Sequence, residues 1–544
     1  MRLLLPLLLT ACGTGGDAAA PAAQVVSLVI EPAQATIASG PAEDGTVAFT
    51  VTATFDDGTE GPLDLVSWSL SNDSAGSIDA TGLFTATAEN GAFTTVTATH
   101  NGITADAELV VVYEETIDEG SGMEATVFDG APTGTIAWLY PEDGVSLPRN
   151  IPSLSFVWED LAGAEGYRLS FTTGTTAVTV LTSDHMWTAE AERWVAIAAT
   201  NAGGEVAIDV RALVGGVLYA APTRTVHVNR LDAQGSIYYW STTDRGIVKV
   251  PIAASEGELF YAPETNSESC VACHTVRGDR MGVTYQTEVG LIKSIGIADI
   301  SGGQVTELGG RDVDGSFNTL NPAGTRMIST TDSGTLNFWN ATTGELVGPI
   351  DSGGIKLNHP DWSPEGTMLA AISSVEQLGD GQFSDGALVV ATIDDDGNLG
   401  PITTLYDPPP GRGKPNVFYP AFSPDGLWIA FNYGDSASYD NETAQLYVIS
   451  VDGGTPIALT AANYGENLTN SWPHWGPQPD DDVYWLTFSS KRAYADIVTD
   501  GRPQIWVAAF DPELATSGLD PSSPAFWLPN QDIETSNHST FWGP

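Results

Sequence analysis

Two cysteines and a histidine stand together at Cys270, Cys273 and His274, in the pattern C-x-x-C-H. The chain has only three cysteines, so two of the three belong to this pattern. Thiols at this spacing reach the two vinyl-derived carbons of one porphyrin edge, and an imidazole directly after the second thiol folds back to the iron. We therefore expect a covalently attached haem c, held by Cys270 and Cys273, with His274 as the proximal iron ligand.

Other chemistry also uses two thiols this close together. Cys270 and Cys273 can form a local disulfide beside an incidental histidine, or act as a zinc-binding or redox-active dithiol. Zinc requires four ligands, and a complete set is not evident near the motif. Haem attachment is the hypothesis that uses all three residues.

The first residues indicate export. Residues 1–12 read MRLLLPLLLTAC, an arginine followed by an apolar run that is too short to span a bilayer. Leu9 to Cys12 resembles the bacterial lipobox, whose cysteine becomes the lipidated first residue of the mature protein. That resemblance implies lipidation at Cys12, and the non-acidic Gly13 implies an outer-membrane lipoprotein facing the periplasm or the cell surface. A plain signal peptide is the alternative. Residues 13–24 are then a flexible tether.

Composition sets the class of protein and its partners. A chain of 544 residues exceeds one hydrophobic core, and its short alternating segments with turn pairs such as Asp57-Gly58 and Asp425-Gly426 predict an all-β, multidomain protein. The net charge of −49 opposes binding to nucleic acids and anionic membrane surfaces. An acidic docking face for a basic redox partner is one use of this charge, and a solvated surface is the simpler one. The acidic runs at residues 312–315 and 394–398 are expected to be hairpin turns, with calcium binding as an alternative.

Two β-sandwich domains are expected before the motif. In residues 25–113, segments such as Val47 to Phe55 alternate with period two. The stretches at residues 53–59, 66–69 and 79–84 resemble the group 2 bacterial Ig-like domain. After an acidic linker at residues 114–133, residues 134–231 resemble a fibronectin type III domain, with a short helix at residues 189–199. We expect both domains to act as spacers.

From residue 232 to 544 a repeat appears: an aromatic residue, then Ser/Gly-Pro-acidic-Gly, then an apolar strand. Its clearest copies start at Asp361 and Ala421. The repeat resembles the propeller of the periplasmic Tol-system protein, in which each unit is a four-stranded blade. Repeat starts near residues 274, 318, 359, 419, 473 and 538 predict a six-bladed β-propeller, or seven blades if the long units contain another. We expect the two ends of this region to share one blade.

The ligand on the other side of the iron is predicted less directly. His359, His474 and His538 each precede the aromatic residue of a repeat, much as His274 precedes Val276, so the imidazoles are expected to converge at one mouth of the channel. His538 is the first choice because its blade should adjoin that of His274, and Met281 is a further candidate. The alternative is that these histidines bind blade backbone.

The sequence therefore predicts an exported, membrane-anchored monohaem c-type cytochrome on a β-propeller. It would transfer electrons to a redox partner protein or a small acceptor. A second hypothesis is a scaffolding lipoprotein whose propeller binds a protein or glycan and whose cysteines form a disulfide. A third is a haem enzyme with an open iron site, such as a peroxidase-like oxidant.

Overall fold

The computed structural model of the protein describes residues 23–543, except 43, 64, 255, 264–267, 288–292, 311–312, 380, 412 and 478–482. The chain divides into two compact units, Met1–Tyr113 and Glu114–Pro544, which are described one at a time. Cys12, the predicted signal peptide and most of the predicted tether lie outside the described residues. Within the described ranges, no helix is both long and apolar enough to cross a membrane.

The first unit consists of short strands around an apolar core. Alternation decides which side chains point inward: in the fourth strand Val51 and Ala53 are buried, whereas Thr50 is exposed. Phe49 and Phe84 lie at the centre of this core. The strands are β1 (Val25–Glu31), β2 (Gln34–Ser39), β3 (Thr46–Ala48), β4 (Thr50–Phe55), β5 (Glu60–Pro62), β6 (Ser67–Leu70), β7 (Gly76–Ile78), β8 (Leu83–Ala86), β9 (Ala92–His100) and β10 (Ile103–Asp118), with a 3₁₀ turn at Asp73–Ala75.

The second unit begins with a β-rich segment that contains one longer helix. Its aromatic core includes Phe156 and Phe171, whose ring centroids are 5.0 Å apart, and Trp194 from the helix packs against Phe156. The helix confirms the one predicted at residues 189–199, shifted toward the C-terminus. The elements are a 3₁₀ turn (Ala125–Phe128), β11 (Gly134–Thr135), β12 (Trp138–Tyr140), β13 (Val145–Leu147), β14 (Ser155–Trp158), β15 (Ala164–Thr172), β16 (Thr176–Thr182), β17 (Met186–Thr188), α1 (Ala191–Thr200), β18 (Gly204–Val214), β19 (Val217–Ala220) and β20 (Arg224–Val228).

In the part of the chain that the structure describes, the rest of the second unit contains six four-stranded antiparallel sheets, which we call blades. Each predicted repeat start falls in the first-named, inner strand of a blade. The all-β prediction is confirmed, and these sheets form the propeller. The first three blades are β46 (Asn537–Gly543) with β21 (Ser236–Ser241), β22 (Gly246–Pro251) and β23 (Glu258–Tyr261); β24 (Glu268–Arg277) with β25 (Arg280–Thr287), β26 (Lys293–Asp299) and β27 (Thr306–Gly309); and β28 (Phe317–Leu320) with β29 (Arg326–Thr330), β30 (Leu336–Asn340) and β31 (Glu345–Pro349).

The other three blades carry additions outside their sheets. The fourth blade has a hairpin formed by β34 (Gln377–Gly379) and β35 (Gln382–Phe383). Short helices follow the last strand of the fifth blade and the third strand of the sixth: α2 (Thr460–Asn463) and α3 (Pro512–Thr516). The second blade contains a 3₁₀ turn at Ser301–Gly303. Their sheets are β32 (Leu357–Trp362) with β33 (Met368–Ser373), β36 (Ala387–Thr392) and β37 (Thr403–Tyr406); β38 (Asn416–Phe422) with β39 (Trp428–Gly434), β40 (Gln445–Ser450) and β41 (Ile457–Ala458); and β42 (Ser471–Trp475) with β43 (Tyr484–Ser490), β44 (Gln504–Phe510) and β45 (Phe526–Trp527).

The repeated Ser-Pro-acidic-Gly motif forms the turn between an inner strand and the next one. In the fifth blade, the Ser423 hydroxyl accepts a hydrogen bond of 2.9 Å from the Trp428 backbone and donates one to Asp425. Gly426 takes φ = 72°, a left-handed conformation that costs glycine little. Ser363 accepts the same bond from Met368 at 3.1 Å in the fourth blade. The motif therefore fixes where each inner strand ends.

The first blade is completed by strands from both ends of the propeller region. β46 pairs with β21, so that Trp542 lies opposite Ile237, and the Trp542 indole donates a 2.7 Å hydrogen bond to the Gln234 carbonyl. This pairing is the shared blade expected from the sequence. It supplies a partner for the inner edge of β21, which would otherwise be an exposed strand edge.

The β-rich segment before the propeller packs directly on the sixth blade. The Tyr140 ring contacts Tyr494 edge to face, with centroids 5.0 Å apart, and its hydroxyl accepts a 3.1 Å hydrogen bond from the Trp527 backbone. Burial raises the pKa of Tyr140 well above its ordinary value, so it remains protonated. This segment is therefore held against the propeller by ring packing and a hydrogen bond.

Closure of the propeller depends on packing at the end of the chain, and Trp542→Ala tests it. Trp542 is buried, so truncation should lower the free energy of unfolding by about 3–5 kcal/mol through cavity formation, plus the loss of its hydrogen bond. Leu427→Ala is the control, because Leu427 is exposed and its loss should change the unfolding free energy by less than about 0.5 kcal/mol. Denaturant titration measures both; equal effects would contradict a closure held by Trp542.

Candidate functional site

The inner strands share a backbone irregularity that places one residue from each blade in the central channel. In five of them a non-glycine residue has φ between 41° and 61°, which is uncommon for a residue with a side chain. In each of the five, strand pairing shifts register at that point, the signature of a β-bulge. Together with Phe317 of β28, these residues line one small cavity and form what we call the channel ring: Cys273, Phe317, His359, Tyr419, Trp472 and Ser539.

Aromatic contacts close most of the channel ring. His359 stacks on Tyr419 with ring centroids 4.3 Å apart, and Tyr419 stacks on Trp472 at 3.8 Å. Phe317 meets His359 edge to face at 4.2 Å. Cys273 and Ser539 complete the ring. The channel is thus divided into a thiol end, where Cys270 lies, and a turn end, where the Ser/Gly-Pro turns lie.

The two thiols of the motif are free in the structure and are largely withdrawn from solvent. Trp240 donates a 3.1 Å hydrogen bond from its indole nitrogen to the Cys270 sulfur. Burial raises the pKa of Cys270 to about 11 and also raises the pKa of Cys273. Both side chains are therefore thiols rather than thiolates at neutral pH. Arg245 and Lys293 lie close enough to Cys270 to oppose this shift slightly.

His274 follows Cys273 and points into the cavity beneath the channel ring. The residue is buried, and neither ring nitrogen makes a hydrogen bond of good geometry with the described residues, although the Tyr238 backbone lies close enough for a weak one. Burial lowers the pKa of His274 to about 4, against a smaller opposing contribution from the Tyr238 backbone. A neutral imidazole that is buried with at most a weak hydrogen bond is a ready metal ligand.

The other predicted histidines do not occupy one level of the channel. His359 belongs to the channel ring itself, where its Nδ1 accepts a 3.2 Å hydrogen bond from the Tyr419 backbone. His474 lies two residues beyond the ring residue Trp472 and lines both the small cavity and a larger one at the turn end. His274, His359 and His474 therefore share a cavity. The sequence predicted equivalent positions in their strands, but in the structure they lie at different heights along the channel.

His538 and Met281 lie elsewhere. The ring centroids of His538 and Trp240 are 6.0 Å apart, and Trp240 is the residue that donates a hydrogen bond to Cys270. His538 therefore lies at the thiol end. Burial lowers its pKa to about 4. Met281 is fully buried in the core of the second blade with Val271 and Val283, and does not line the small cavity. Of His538 and Met281, the two remaining candidate iron ligands, only His538 lies on the same side of the channel ring as Cys270.

Two groups that the sequence did not indicate stand at the turn end. Asp361 is buried, accepts a 2.7 Å hydrogen bond from the Phe422 backbone, and has a pKa raised by burial to about 6. Arg277 lies over the Phe541 ring, 4.8 Å from its centroid. Asp361 follows the channel-ring residue His359 by two residues, and Arg277 follows Cys273 by four. These placements can be inferred only when the position of the bulge in each strand is known.

The donor set fits a covalent haem in part. Two free thiols and a buried, neutral imidazole are the groups that such attachment uses. The cavity beneath the channel ring, about 50 Å³, is far smaller than the roughly 300–1,000 Å³ of ordinary ligand pockets, so a porphyrin has no room inside it. Among the described residues no three Cys, His, Asp or Glu side chains are grouped to hold a metal ion by themselves.

The acidic run at residues 394–398 is the hairpin turn that was expected. Asp394 accepts backbone hydrogen bonds from Asp396 and Asn398 at 3.0 and 2.8 Å. Asp312, from the other acidic run, lies outside the described residues.

Comparisons with known proteins were made on sequence and on structure. No family model and no curated protein matches the chain. It is similar in structure to TolB from Acinetobacter baumannii, with 11% identity over 62% of this chain and 80% of that chain and a TM-score of 0.39. A putative TolB from Agrobacterium tumefaciens is 17% identical over 57% of this chain and 99% of that chain, with a TM-score of 0.32.

The buried imidazole of His359 predicts a pH dependence of stability. Burial lowers its pKa from 6.5 to about 3, so between these values the unfolded chain binds a proton that the folded chain does not. Stability should therefore fall as pH falls through this window, by about 1.4 kcal/mol per pH unit for this residue. His359→Phe should reduce that slope by about this amount, as measured by urea unfolding between pH 7 and 4.

The matched control for the pH series is Phe383→Leu. Phe383 contacts His359, with ring centroids 4.9 Å apart, so its truncation loosens the same packing without removing a titrating group. It should lower stability at every pH and leave the slope unchanged. Identical slopes in the unmodified protein and His359→Phe would show that His359 is protonated in the folded state.

Proposed function

We propose that this protein is an exported c-type haem protein in which Cys270 and Cys273 hold the haem, His274 is its protein ligand, and the propeller is the scaffold. The observation that carries the proposal is the buried, neutral His274 imidazole, which makes at most a weak hydrogen bond, to the Tyr238 backbone, and directly follows two free thiols. Haem held in this way supplies one-electron exchange at its iron. Electron transfer to a redox partner is the function that follows.

The surroundings of the thiols support this assignment over thiol chemistry. Reactive dithiols have lowered pKa values, since the thiolate is the nucleophile. Here burial raises the pKa of both cysteines, so neither is prepared for disulfide exchange. Zinc has the same requirement for thiolates and would need further ligands.

The porphyrin would have to lie outside the small cavity, because the aromatic residues of the channel ring fill that part of the channel, and the His274 imidazole would have to leave the cavity to reach the iron. Trp240 orients Cys270 through its hydrogen bond, and His538 packs on the same indole. The channel ring would separate this end from the turn end.

The decisive experiment is expression of the full chain in cells that attach haem c, followed by a pyridine haemochrome spectrum and intact mass. We expect one covalent haem per chain. The double variant Cys270→Ala with Cys273→Ala should fold and carry none. His274→Ala should retain the covalent haem but show an altered spectrum, because only the iron ligand is removed.

The same mass measurement separates the scaffolding alternative. A well-folded protein without added haem mass, and lighter by two hydrogens, would mean a disulfide and would refute haem attachment. A high-spin ferric spectrum that shifts with cyanide would instead favour the haem enzyme with an open iron site over an electron-transfer protein.

Lipidation at Cys12 is proposed from the lipobox resemblance alone and has its own test. Cys12→Ser should release the protein from the membrane fraction without changing its haem content, since residues 1–12 and residues 270–274 are far apart in the chain. Cell fractionation with the haem spectrum as readout measures both properties. Unchanged membrane association of Cys12→Ser would contradict the lipid anchor.

A further inference from the structure

The turn end of the channel opens into a cavity of about 250 Å³, which is larger than the one beneath the channel ring. The cavity is roofed by the turns that end the inner strands, so prolines of several blades line it, as do Phe422, Trp475 and Phe541. Its walls are therefore mostly apolar and rigid. The volume lies just below the range of drug-sized pockets, which suits a ligand with a single ring or a short aliphatic chain.

The wall of this cavity includes a cationic side chain, that of Arg277. Arg277 is half-buried, and burial lowers its pKa, which records the cost of desolvating the guanidinium. Its only described hydrogen bond is a long one, 3.4 Å, to the carbonyl of Val276. Asp361 acts on it electrostatically, but no described carboxylate lies within ion-pair distance of it. In a chain with 69 acidic and 20 basic residues, such a guanidinium is unusual.

The nearby acid is already engaged. Asp361 accepts hydrogen bonds from the Phe422 backbone at 2.7 Å and from the Thr319 hydroxyl at 3.3 Å. Phe541, stacked beneath the guanidinium, holds Arg277 in place from one side. The guanidinium is therefore pre-positioned, and although Asp361 acts on it electrostatically, none of its N–H groups donates to a described carboxylate. Arginine recognises planar carboxylates through two parallel hydrogen bonds.

We propose that the turn-end cavity binds an organic carboxylate, with the carboxylate on Arg277 and an attached apolar group against Phe422 and Trp475. The ligand is a small aromatic or aliphatic acid, or the C-terminal residue of a polypeptide, since both present the same chemistry. This binding site goes beyond the proposed haem function and does not depend on it, because neither Cys270 nor Cys273 lines the turn-end cavity.

The test uses the full-length protein and calorimetric titration with phenylacetate and with its neutral analogue phenylacetamide. We expect the acid to bind at least tenfold more tightly than the amide, and Arg277→Gln to remove that preference. Arg277→Lys should keep part of it, because the charge remains while the paired hydrogen bonds are lost. Trp475, in the cavity wall, should report binding through its fluorescence.

Two controls keep the result interpretable. Arg502→Gln removes a surface arginine that pairs with Asp500 and Glu534, and should leave binding unchanged. The double variant Cys270→Ala with Cys273→Ala should also bind phenylacetate normally, so failure of the haem proposal would not affect this one.

A second pair of probes distinguishes the two sources of the carboxylate. A tripeptide ending in a free phenylalanine is compared with its C-terminal amide. Tighter binding of the free peptide than of phenylacetate favours a polypeptide terminus, and the reverse order favours a small acid. Equal affinity of phenylacetate and phenylacetamide in the unmodified protein would overturn the proposal without reference to any variant.

Discussion

The site depends on a strained backbone conformation that recurs in the inner strands. Left-handed φ at Cys273, His359, Tyr419, Trp472 and Ser539 costs on the order of 1–3 kcal/mol for each residue. Such conformations persist only where the surrounding structure enforces them, and here the flanking strand pairs do so on both sides of each bulge. The bulges direct side chains into the channel that regular strands would place between blades. The channel ring therefore exists only in a closed propeller.

Much of the propeller could be predicted because its signals are local. Ser423, Pro424 and Gly426 define a turn by hydrogen bonding and backbone freedom within a few residues, and the copies repeat. The shared first blade followed from counting strands at both ends of the region. The C-x-x-C-H pattern was equally local, and all three of its residues lie together in β24.

The positions of the other site residues could not be predicted, because a bulge shifts every later side chain by one place. His359, His474 and His538 looked equivalent by their distance from an aromatic residue, yet they lie at three levels once the bulges are included. Met281 looked available for iron but fills a core. Asp361 and Arg277 gave no signal, because a buried acid beside a half-buried arginine becomes visible only when separate blades meet at the channel.

The channel ring separates two different chemical environments in one channel. At the thiol end, Cys270 is protonated and His538 is neutral at pH 7, while Arg245 and Lys293 supply positive charge near Cys270. At the turn end, Arg277 and Asp361 favour a charged ligand. His474 lines both the small cavity beneath the channel ring and the cavity at the turn end, so the two cavities share this side chain.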